Sequence, residues 1–548
     1  MIRLAILWHM HQPFYQDLET GEHALPWARL HALKDYRGMV DVLEPFPGVR
    51  ATFNLVPSLV RQVEDYASGT GTDRLLRVGL TPADMLTAAD RAFLVANGFH
   101  ASFDRLIAPH PRYAELHGMR EQAGGWTVED LRDLQVWHKL VWMDPDRLRE
   151  DPRLGSLVGK GRGFSEEDKA ALHAVELEWL RSTVGAYRRA LERGQVELST
   201  SPFYHPILPL LCDTDAHLAA YPDAARPARP FRHPIDAREQ LARAIRYHQE
   251  LFGAPPLGVW PSEGAVSNLV VPIVAAEGLG WMATDEDLLA RSLGEDLPRD
   301  EEGLPLRADV LYRPYEVQAG GARVRVLFRD HALSDRIGFT YQSWRASDAV
   351  DDFLWRVREG ARRFSDVDPG QDPVVAVILD GENAWEHYDG GGRPFLRELY
   401  GRLQTATDIR TVTMAEAAAD GARPLTSLFP GSWIHADFYI WAGHRDDQRA
   451  WSQLSAARAA FDERAPFVPA AARDRAYEEL LIAEGSDWFW WYGDDHSSPQ
   501  DREFDEQFRH HVRNAYQALG LMAPAELLES NITTGTGLLA GGVMERAE

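Results

Sequence analysis

The 548 residues include 58 basic and 83 acidic side chains, and the formal net charge is −25. A chain of this length exceeds one compact core, so we expect two or three domains. The negative surface repels phosphate backbones and anionic lipid, which argues against nucleic-acid and membrane partners.

The cysteine count and the lengths of the apolar runs further restrict the possible classes of protein and its location. Cys212 is the only cysteine, so an intramolecular disulfide and a thiolate metal cluster are both excluded. The apolar run Leu4–Trp8 is too short for the core of a signal peptide, and no run of about twenty apolar residues could cross a membrane. We therefore expect a cytoplasmic location.

Short apolar runs alternate with helical patterns along the chain. The predicted strands are Leu4–Trp8, Arg50–Asn54, Val196–Ser199, Leu257–Trp260, Trp281–Thr284 and Val374–Leu379. The predicted helices are Tyr36–Leu43, Leu59–Tyr66, Leu172–Arg193, Asp236–Leu251 and Val350–Phe364. This alternation predicts an α/β fold with a parallel sheet, either a barrel or an open doubly wound sheet. A barrel is favoured because His9, Glu263 and Asp380 directly follow strands, where barrels place their active sites.

Two regions depart from the alternation. Residues from about 80 to 190 are charged and helical in pattern, which predicts a helical insertion on a barrel loop. Beyond about 420 the patterns are again helical, in Asp446–Phe461, Ala470–Glu484 and Phe504–Leu519, with a short strand as an option after Asn531. We predict a catalytic barrel over residues 1–418 and a C-terminal helical bundle over 419–548 that completes the active-site cleft.

The end of the first predicted strand carries two histidines. Residues two apart on a strand face the same way, so His9 and His11 project together. The pair is compatible with two ligands of a divalent metal, with hydrogen bonds to substrate hydroxyls, or with imidazoles that satisfy loop backbone.

Two further strand ends carry carboxylates. Glu263 follows a buried strand and the Trp260-Pro261 turn, and either a nucleophile or a helix cap fits that position. Asp380 ends a fully apolar strand and begins a turn with Glu382, where crowded acids raise one another's pKa as a general acid requires. A surface acidic loop is the alternative. Two carboxylates from different strands, together with 17 tryptophans, are the ingredients of glycoside hydrolysis.

A run of five aromatic residues, from Trp488 to Tyr492, lies between acidic residues. One helix face cannot bury all five rings. They therefore line a sugar-binding groove or form a seam between domains. Asp494 and Asp495 nearby offer ligands for calcium, but without the signature of a calcium-binding loop.

Five short motifs, in order, resemble those of glycoside hydrolase family 57. They are His11-Gln12-Pro13, residues 194–198 running into 200–206, Trp260-Pro261-Ser262-Glu263, Leu379-Asp380-Gly381-Glu382-Asn383, and Glu484-Gly485-Ser486-Asp487-Trp488. The last three motifs are most similar to the amylopullulanase and α-amylase branch. The resemblance implies an incomplete (β/α)7 barrel followed by a helical bundle. It also implies a retaining reaction on an α-glucan or malto-oligosaccharide without a cofactor or metal, with the two carboxyl groups roughly 5–5.5 Å apart.

The resemblance also implies a role for each matching residue. Glu263 would be the nucleophile and Asp380 the general acid/base. The residues expected to bind substrate are His9, His11, His205, Trp260, Glu382, Trp385, Glu484, Asp487 and Trp488. Of these, the three tryptophans are the predicted stacking rings.

Three alternatives remain at this point. A 4-α-glucanotransferase or a branching enzyme uses the same two carboxylates but accepts a sugar in place of water. A metal-dependent hydrolase would be built on His9 and His11. A carbohydrate-binding protein without catalysis is disfavoured, because it has no need of both carboxylates. The sequence does not decide between α-1,4 and α-1,6 linkages, nor the oligomeric state.

Overall fold

The computed structural model describes residues 1–121, 125–419, 421–496 and 498–533. The strand considered after Asn531 lies almost entirely outside these residues. Every helix in the described part of the chain is too short or too polar to cross a membrane.

Parallel strands form the centre of the molecule. In chain order, the strands of the described residues are β1 (Ile2–Met10), β2 (Glu22–His23), β3 (Ala51–Leu55), β4 (Thr72–Asp73), β5 (Val196–Ser199), β6 (Gly258–Val259), β7 (Trp281–Asp285), β8 (Tyr315–Ala319), β9 (Ala322–Arg329), β10 (Val374–Asp380), β11 (Ile409–Val412) and β12 (Arg423–Leu425). All six predicted strands are present. The continuous apolar runs of β1 and β10 are buried along nearly their whole length, as parallel strands covered on both faces require.

These strands pair into two five-stranded sheets, and β2 pairs with β4. One sheet is wholly parallel in the order β10-β1-β3-β5, and β11 adds to the N-terminal half of β1. The other has the order β12-β8-β9-β7-β6 and is parallel except between β8 and β9. The prediction of an α/β fold is confirmed.

The antiparallel pair of β8 and β9 was not predicted. Gly320 and Gly321 connect the two strands, both with positive φ, at 55° and 81°. A Gly-Gly pair between β-rich runs is a typical hairpin signal. The sequence thus carried a signal for this hairpin.

Backbone contacts at two places join the sheets. Thr200, just after β5, forms one parallel bridge with Val259 of β6. The backbone N–H of Asp330, just after β9, donates to the carbonyl of Ala376 in β10 at 2.8 Å. Seven of the described strands therefore follow one another as β10-β1-β3-β5-β6-β7-β9, with their carboxyl ends toward the same side.

The segment of the predicted insertion is mainly helical, and its position as an insertion on a barrel loop stays a prediction. Its helices are Arg74–Leu80, Ala88–Asn97, Pro111–Met119, Val128–Leu140, Pro145–Glu150, Pro152–Lys160 and Glu166–Glu192. The last begins earlier than predicted because Ser165 and Asp168 form a reciprocal capping box. The helices that connect the strands elsewhere are Trp27–His31, Arg37–Asp41, Pro57–Ser68, Leu208–Cys212, Pro234–Phe252, Val270–Ala276, Glu286–Leu293, Ala308–Leu311, His331–Asp335, Ala346–Val367, Arg393–Thr405 and Met414–Ala418.

The C-terminal region is helical after one short strand. Its helices are Tyr439–Ala442, Arg445–Arg464, Ala470–Ala483, Ser486–Phe489 and Asp501–Ala518. The prediction of helix alone beyond about 420 is wrong at β12, an edge strand in which Pro424 is tolerated. A buried ion pair fixes this region to the helix Pro234–Phe252, because Arg458 donates from Nε to Asp236 at 2.7 Å.

Candidate active site

The carboxyl ends of β1, β3 and β10 bring the first site residues together. His9 of β1 lies opposite Asp380 of β10 on one side and Asn54 of β3 on the other. Its Nδ1 is 2.7 Å from Asn54 Oδ1. Burial lowers the pKa of His9 to about 3, and the neighbouring His11 adds to the decrease. His9 is therefore a neutral ring held in one orientation.

Three imidazoles stack at this edge. His11 and His205 lie face to face with ring centroids 3.7 Å apart, and the His9 ring is 5.2 Å from that of His205. Burial lowers the pKa of His205 well below its usual range, and the other two imidazoles lower it further. The predicted common direction of His9 and His11 agrees with their nearly parallel rings.

The C-terminal region supplies the polar partners of these rings. Pro206 forms a bridge with Gly485, and Ser486 N–H donates to the carbonyl of His205 at 3.0 Å. These bonds place Asp487 2.8 Å from His11 Nε2 and Ser486 Oγ 3.1 Å from His205 Nδ1. His11 Nδ1 and His205 Nε2 are buried without a hydrogen-bond partner in the described structure.

Glu263 lies in the turn that follows β6. Its φ of 57° and ψ of 26° are left-handed, an uncommon conformation for a residue with a Cβ. Trp433 Nε1 donates to Glu263 Oε2 at 2.8 Å, and Glu263 Oε1 is 3.8 Å from His205 Nδ1. Burial raises the pKa of Glu263 to about 8, the charge of Asp380 adds to the rise, and the Trp433 hydrogen bond opposes it.

Asp380 ends β10 and is partly exposed. Asn383 Nδ2 donates to its Oδ2 at 2.8 Å. Burial raises the pKa of Asp380, while the Asn383 hydrogen bond and the neighbouring His11 and Arg329 oppose the rise. Both predicted catalytic carboxyls therefore have raised pKa values, and each carries one hydrogen bond that favours its ionised form.

Seven of the nine predicted substrate-binding residues are buried, including His9 and His205 at 3% and 0% exposure. Trp260, Trp385 and Trp488 are fully buried, and the last two donate from their indole nitrogens to backbone carbonyls at 2.7 Å. The stacking role predicted for these rings is wrong in this structure, because no ring face is free. Glu382 and Glu484 are 3% and 1% exposed, so they too are interior residues.

The buried carboxyls of Glu484 and Glu382 lie in the interior next to the site. Gln240 Nε2 donates to Glu484 at 2.9 Å. Burial raises the pKa of Glu382 well above its usual range, and the charges of Asp380 and Asp35 raise it further.

A cavity of about 770 Å³ opens beside Asp380. Its walls come mainly from the segment after β9 and from the C-terminal region, and they include Arg329, His331, Phe339, Asn383, Trp433, His435, Trp490 and His496. Sequence analysis identified no role for Trp433, because a tryptophan in a loop without regular spacing has no distinctive signal. Asn54 was identifiable, since it is a polar residue at the end of an apolar strand.

One wall of the cavity contains a network of ion pairs. Arg329 Nε donates to Asp285 at 2.6 Å, and the two nitrogens of His331 each lie 3.0 Å from Asp285 or Asp335. Burial works against protonation of His331, but the Asp285 charge and hydrogen bond outweigh it and raise the pKa to about 10. The Arg329 guanidinium also lies 4.8 Å from the Trp433 ring centroid, which fixes the residue that contacts Glu263.

Three groups of side chains in the described residues have the geometry to hold a metal ion. They are His11 with His205 and Asp487, Asp285 with Asp287 and His331, and His444 with Asp494 and Asp495. In the second group, Asp285 is already paired with Arg329 and with His331. The first group does not include His9. The candidate ligands at the end of β1 are thus His11 with His205 and Asp487, and not the predicted pair of His9 and His11.

The fold and the paired carboxyls at strand ends define a class, the glycoside-active α/β enzymes. Residues 5–426 match the model of glycosyl hydrolase family 57. The chain belongs to this family, and the resemblance predicted from the five motifs is confirmed. Its assignment to the amylopullulanase and α-amylase branch stays a prediction.

Individual relatives are distant. An α-amylase of Pyrococcus furiosus is 22% identical over 306 residues, which are 53% of this chain and 36% of that protein. The chain thus matches little more than a third of that relative's length.

Two solved structures share the fold over almost the whole chain. A family 57 branching enzyme from Thermococcus kodakaraensis has a TM-score of 0.61 at 16% identity, covering 94% of this chain and 90% of the other. The α-amylase AmyC from Thermotoga maritima has a TM-score of 0.56 at 15% identity, covering 96% and 95%. At these identities the likeness concerns the fold.

Proposed function

We propose that this chain is a retaining enzyme acting on α-glucans, with Glu263 as nucleophile and Asp380 as general acid/base. The observation that carries the proposal is the pair itself. Two partly buried carboxyls from different strand ends adjoin the same imidazole stack. Asp380 lies opposite His9 on the neighbouring strand, and the His9 ring is 5.2 Å from that of His205. Glu263 Oε1 is in turn 3.8 Å from His205 Nδ1. A short separation is expected of a retaining pair, which has no room for water between nucleophile and sugar.

The reaction follows in two steps. Glu263 attacks the anomeric carbon, the glycosidic C–O bond breaks, and Asp380 gives its proton to the departing oxygen. Water or a sugar hydroxyl then attacks the glycosyl-enzyme ester, Asp380 takes the proton of the attacking group, and Glu263 is released. The anomeric configuration is inverted twice and therefore retained.

Burial raises the pKa of Glu263 to about 8, so the division of roles requires the proton of the pair to be on Asp380 when the sugar reacts. Two neighbouring anions are costly in a buried site, so the pair keeps one proton near neutral pH. The Trp433 N–H stabilises the ionised form of Glu263. Positive charge that develops on the sugar in the transition state favours the same ionised form, which leaves the proton on Asp380.

The imidazole stack is the proposed binding site for the sugar that is attacked. His11 and Asp487 are partly exposed, so these two side chains are suited to sugar hydroxyls. The fully buried His205 stacks on His11 and holds its ring in place. Asp487 lies beside them and adds an acceptor. The substrate-binding roles of these residues stay proposals, and His9 supports them through its fixed ring.

We further propose that the seven connected strands form the incomplete (β/α)7 barrel. Its weakest junction would be between β9 and β10, which share no bridge and are joined by the hydrogen bond from Asp330 to Ala376. Residues 1–418 would constitute the barrel with its insertion, and residues 419–548 the bundle that completes the cleft. The contact of Ser486 with His205 supports this arrangement.

Transfer to a sugar is the second candidate, because the cavity beside Asp380 has room for an acceptor. Product analysis with maltoheptaose and pullulan decides between the two. Shorter sugars alone indicate hydrolysis, whereas additional longer sugars indicate a glucanotransferase or branching enzyme. Release of the α-anomer by NMR tests retention.

Substitution of either carboxyl tests the catalytic assignment. We expect Glu263→Gln and Asp380→Asn to lower kcat for maltoheptaose by about 10³-fold or more, because each removes a group needed in both steps. Asp389→Asn is the matched control, since that carboxyl is 85% exposed. Substantial activity in either active-site variant would refute the assignment.

The metal-dependent alternative makes a different prediction. A hydrolase that used His11, His205 and Asp487 as metal ligands would lose activity after dialysis against a chelator and regain it with zinc. We expect unchanged activity, measured on the same substrates. Loss of activity with the chelator and its recovery with zinc would refute the two-carboxyl mechanism in favour of a metal-dependent one.

A further inference from the structure

The large cavity is next to one of the two proposed catalytic carboxyls. Asp380 and Asn383 line it, whereas Glu263 is not among the described residues that do. Glu263 is instead turned toward Trp433 and His205. In a retaining reaction the acid acts on the departing oxygen, so a cavity beside Asp380 alone is on the side of the leaving group.

The walls of this cavity combine flat rings with hydrogen-bonding groups. Phe339, on the π-helical turn Arg336–Thr340, lines the cavity and is 36% exposed, so part of its ring is open to a ligand. Trp490 also lines it and stacks on His496 with centroids 4.5 Å apart and planes 18° apart. Thr340 and Gln342 add hydroxyl and amide groups near Phe339. Flat apolar faces bordered by such groups are suited to pyranose rings.

We propose that this cavity binds the leaving-group portion of the glucan, and subsequently the acceptor, with Phe339 and Trp490 as its stacking rings. The inference rests on the proposed function. It assigns the selection of substrate chain length to the leaving-group side of the cleft. The cavity volume, about 770 Å³, is within the range of roughly 300–1,000 Å³ typical of ligand sites. Binding energy from the leaving-group portion in this cavity would lower the activation barrier for cleavage of the glycosidic bond. It would not strengthen binding of the sugar that Glu263 attacks.

Two substrates that differ only on this side separate the inference from the proposed function. Maltoheptaose places glucose units beyond the broken bond, whereas α-maltosyl fluoride has only fluoride there. With the fluoride, Glu263 displaces fluoride ion from the anomeric carbon, and water then releases maltose. We expect Phe339→Ala and Trp490→Ala to lower the ratio of kcat/KM for maltoheptaose to kcat/KM for maltosyl fluoride by about tenfold.

Two further variants control for folding and for loss of any exposed ring. Phe339→Tyr keeps the ring and should restore the ratio. Trp355→Ala removes a ring that is 46% exposed on the helix Ala346–Val367 and does not line the cavity, so the ratio should not move.

Each other outcome counts against the inference. If Phe339→Ala and Trp490→Ala leave the ratio unchanged, whether or not both rates fall, the cavity is not the leaving-group side. If the wild-type protein turns over neither substrate, the proposed function fails and the inference fails with it. Activity on the fluoride alone would keep the carboxyl pair but reject the cavity as a glucan site.

Discussion

Glu263 and His205 each have a φ of 57°, in the left-handed region. His435 and Ala436, in the loop after Trp433, are the other non-glycine residues of the described chain with positive φ. Such a conformation costs about 1–2 kcal/mol per residue with a Cβ. Its concentration around Glu263 indicates that the fold uses stability to orient these side chains.

Trp433 should set the acidity of Glu263. Its N–H stabilises the carboxylate, so Trp433→Phe, which keeps a flat ring, should raise a pKa that is already about 8. The ionised form is the nucleophile, and activity is therefore lost as pH falls through this pKa. We expect the acidic limb of kcat/KM to move to higher pH by about half a unit to one unit.

The control for this prediction is Trp344→Phe, which changes an exposed tryptophan. Its pH profile should match that of the wild type. A Trp433→Phe enzyme with a reduced rate but an unmoved acidic limb would show that Trp433 acts through packing alone.

At this scale the sequence indicated polar residues at strand ends more readily than it distinguished binding rings from core rings. His9, Glu263 and Asp380 were identifiable because each ends or follows an apolar strand. Trp385 and Trp488 were misjudged because tryptophan enters cores and binding sites alike, and only tertiary packing separates the two. Trp433 was missed because its partner lies 170 positions away.

Among the elements, the segment from Glu484 to Trp488 has the largest effect on the site. It joins the helix Ala470–Ala483 to the strand side of the cleft and carries Asp487 to His11. Gly485 makes this close approach possible, since a Cβ there would lie 2.8 Å from the carbonyl oxygen of Tyr204.

Gly485→Ala should therefore move this segment away from His205. We expect kcat/KM to fall by about tenfold or more, because Asp487 and Ser486 would shift by a fraction of an ångström. Gly155→Ala is the control, as a Cβ there meets nothing within 4 Å in the helix Pro152–Lys160. Equal activity of the two variants would show that this contact does not position the site.

Element types were predictable to the extent that local pattern decides them. Apolar runs located β1, β3, β5, β6, β7 and β10. The strands β8 and β9 were missed because they lack a continuous apolar run, although their residues alternate between apolar and polar. The edge strand β12 was missed because it gains its strand character from pairing with β8. How the strands join into a ring depends on long-range contacts that no local pattern contains.

The whole molecule bears the cost of keeping a carboxyl such as Glu263 in its interior. Its pKa of about 8 in the folded state exceeds the ordinary 4.5, so the folded state binds this proton more tightly than the unfolded chain. Stability from this group is thus full below pH 4.5 and is lost as pH rises toward 8.

Glu263→Gln should consequently be more stable than the wild type in alkaline conditions while lacking activity. We expect its melting temperature to be about 1–2 °C higher at pH 8.5 and nearly equal at pH 5. Thermal unfolding at both pH values, with Asp389→Asn as the control, measures this. A variant that melts lower than the wild type at pH 8.5 would mean that Glu263 is stabilised by contacts stronger than its burial penalty.

The bond between His205 and Ser486 joins residues 281 positions apart. A ribosome adding roughly 5–20 residues per second needs roughly 15–55 s to travel that distance. During this interval Glu263 and then Asp380 are added to the nascent chain. Ser486 and Asp487, the hydrogen-bond partners of the imidazole stack, are added only at its end. Catalytic activity would therefore appear only after the C-terminal segment has been synthesised and has docked on the strands. The time at which activity appears in a translation reaction would measure when this docking occurs.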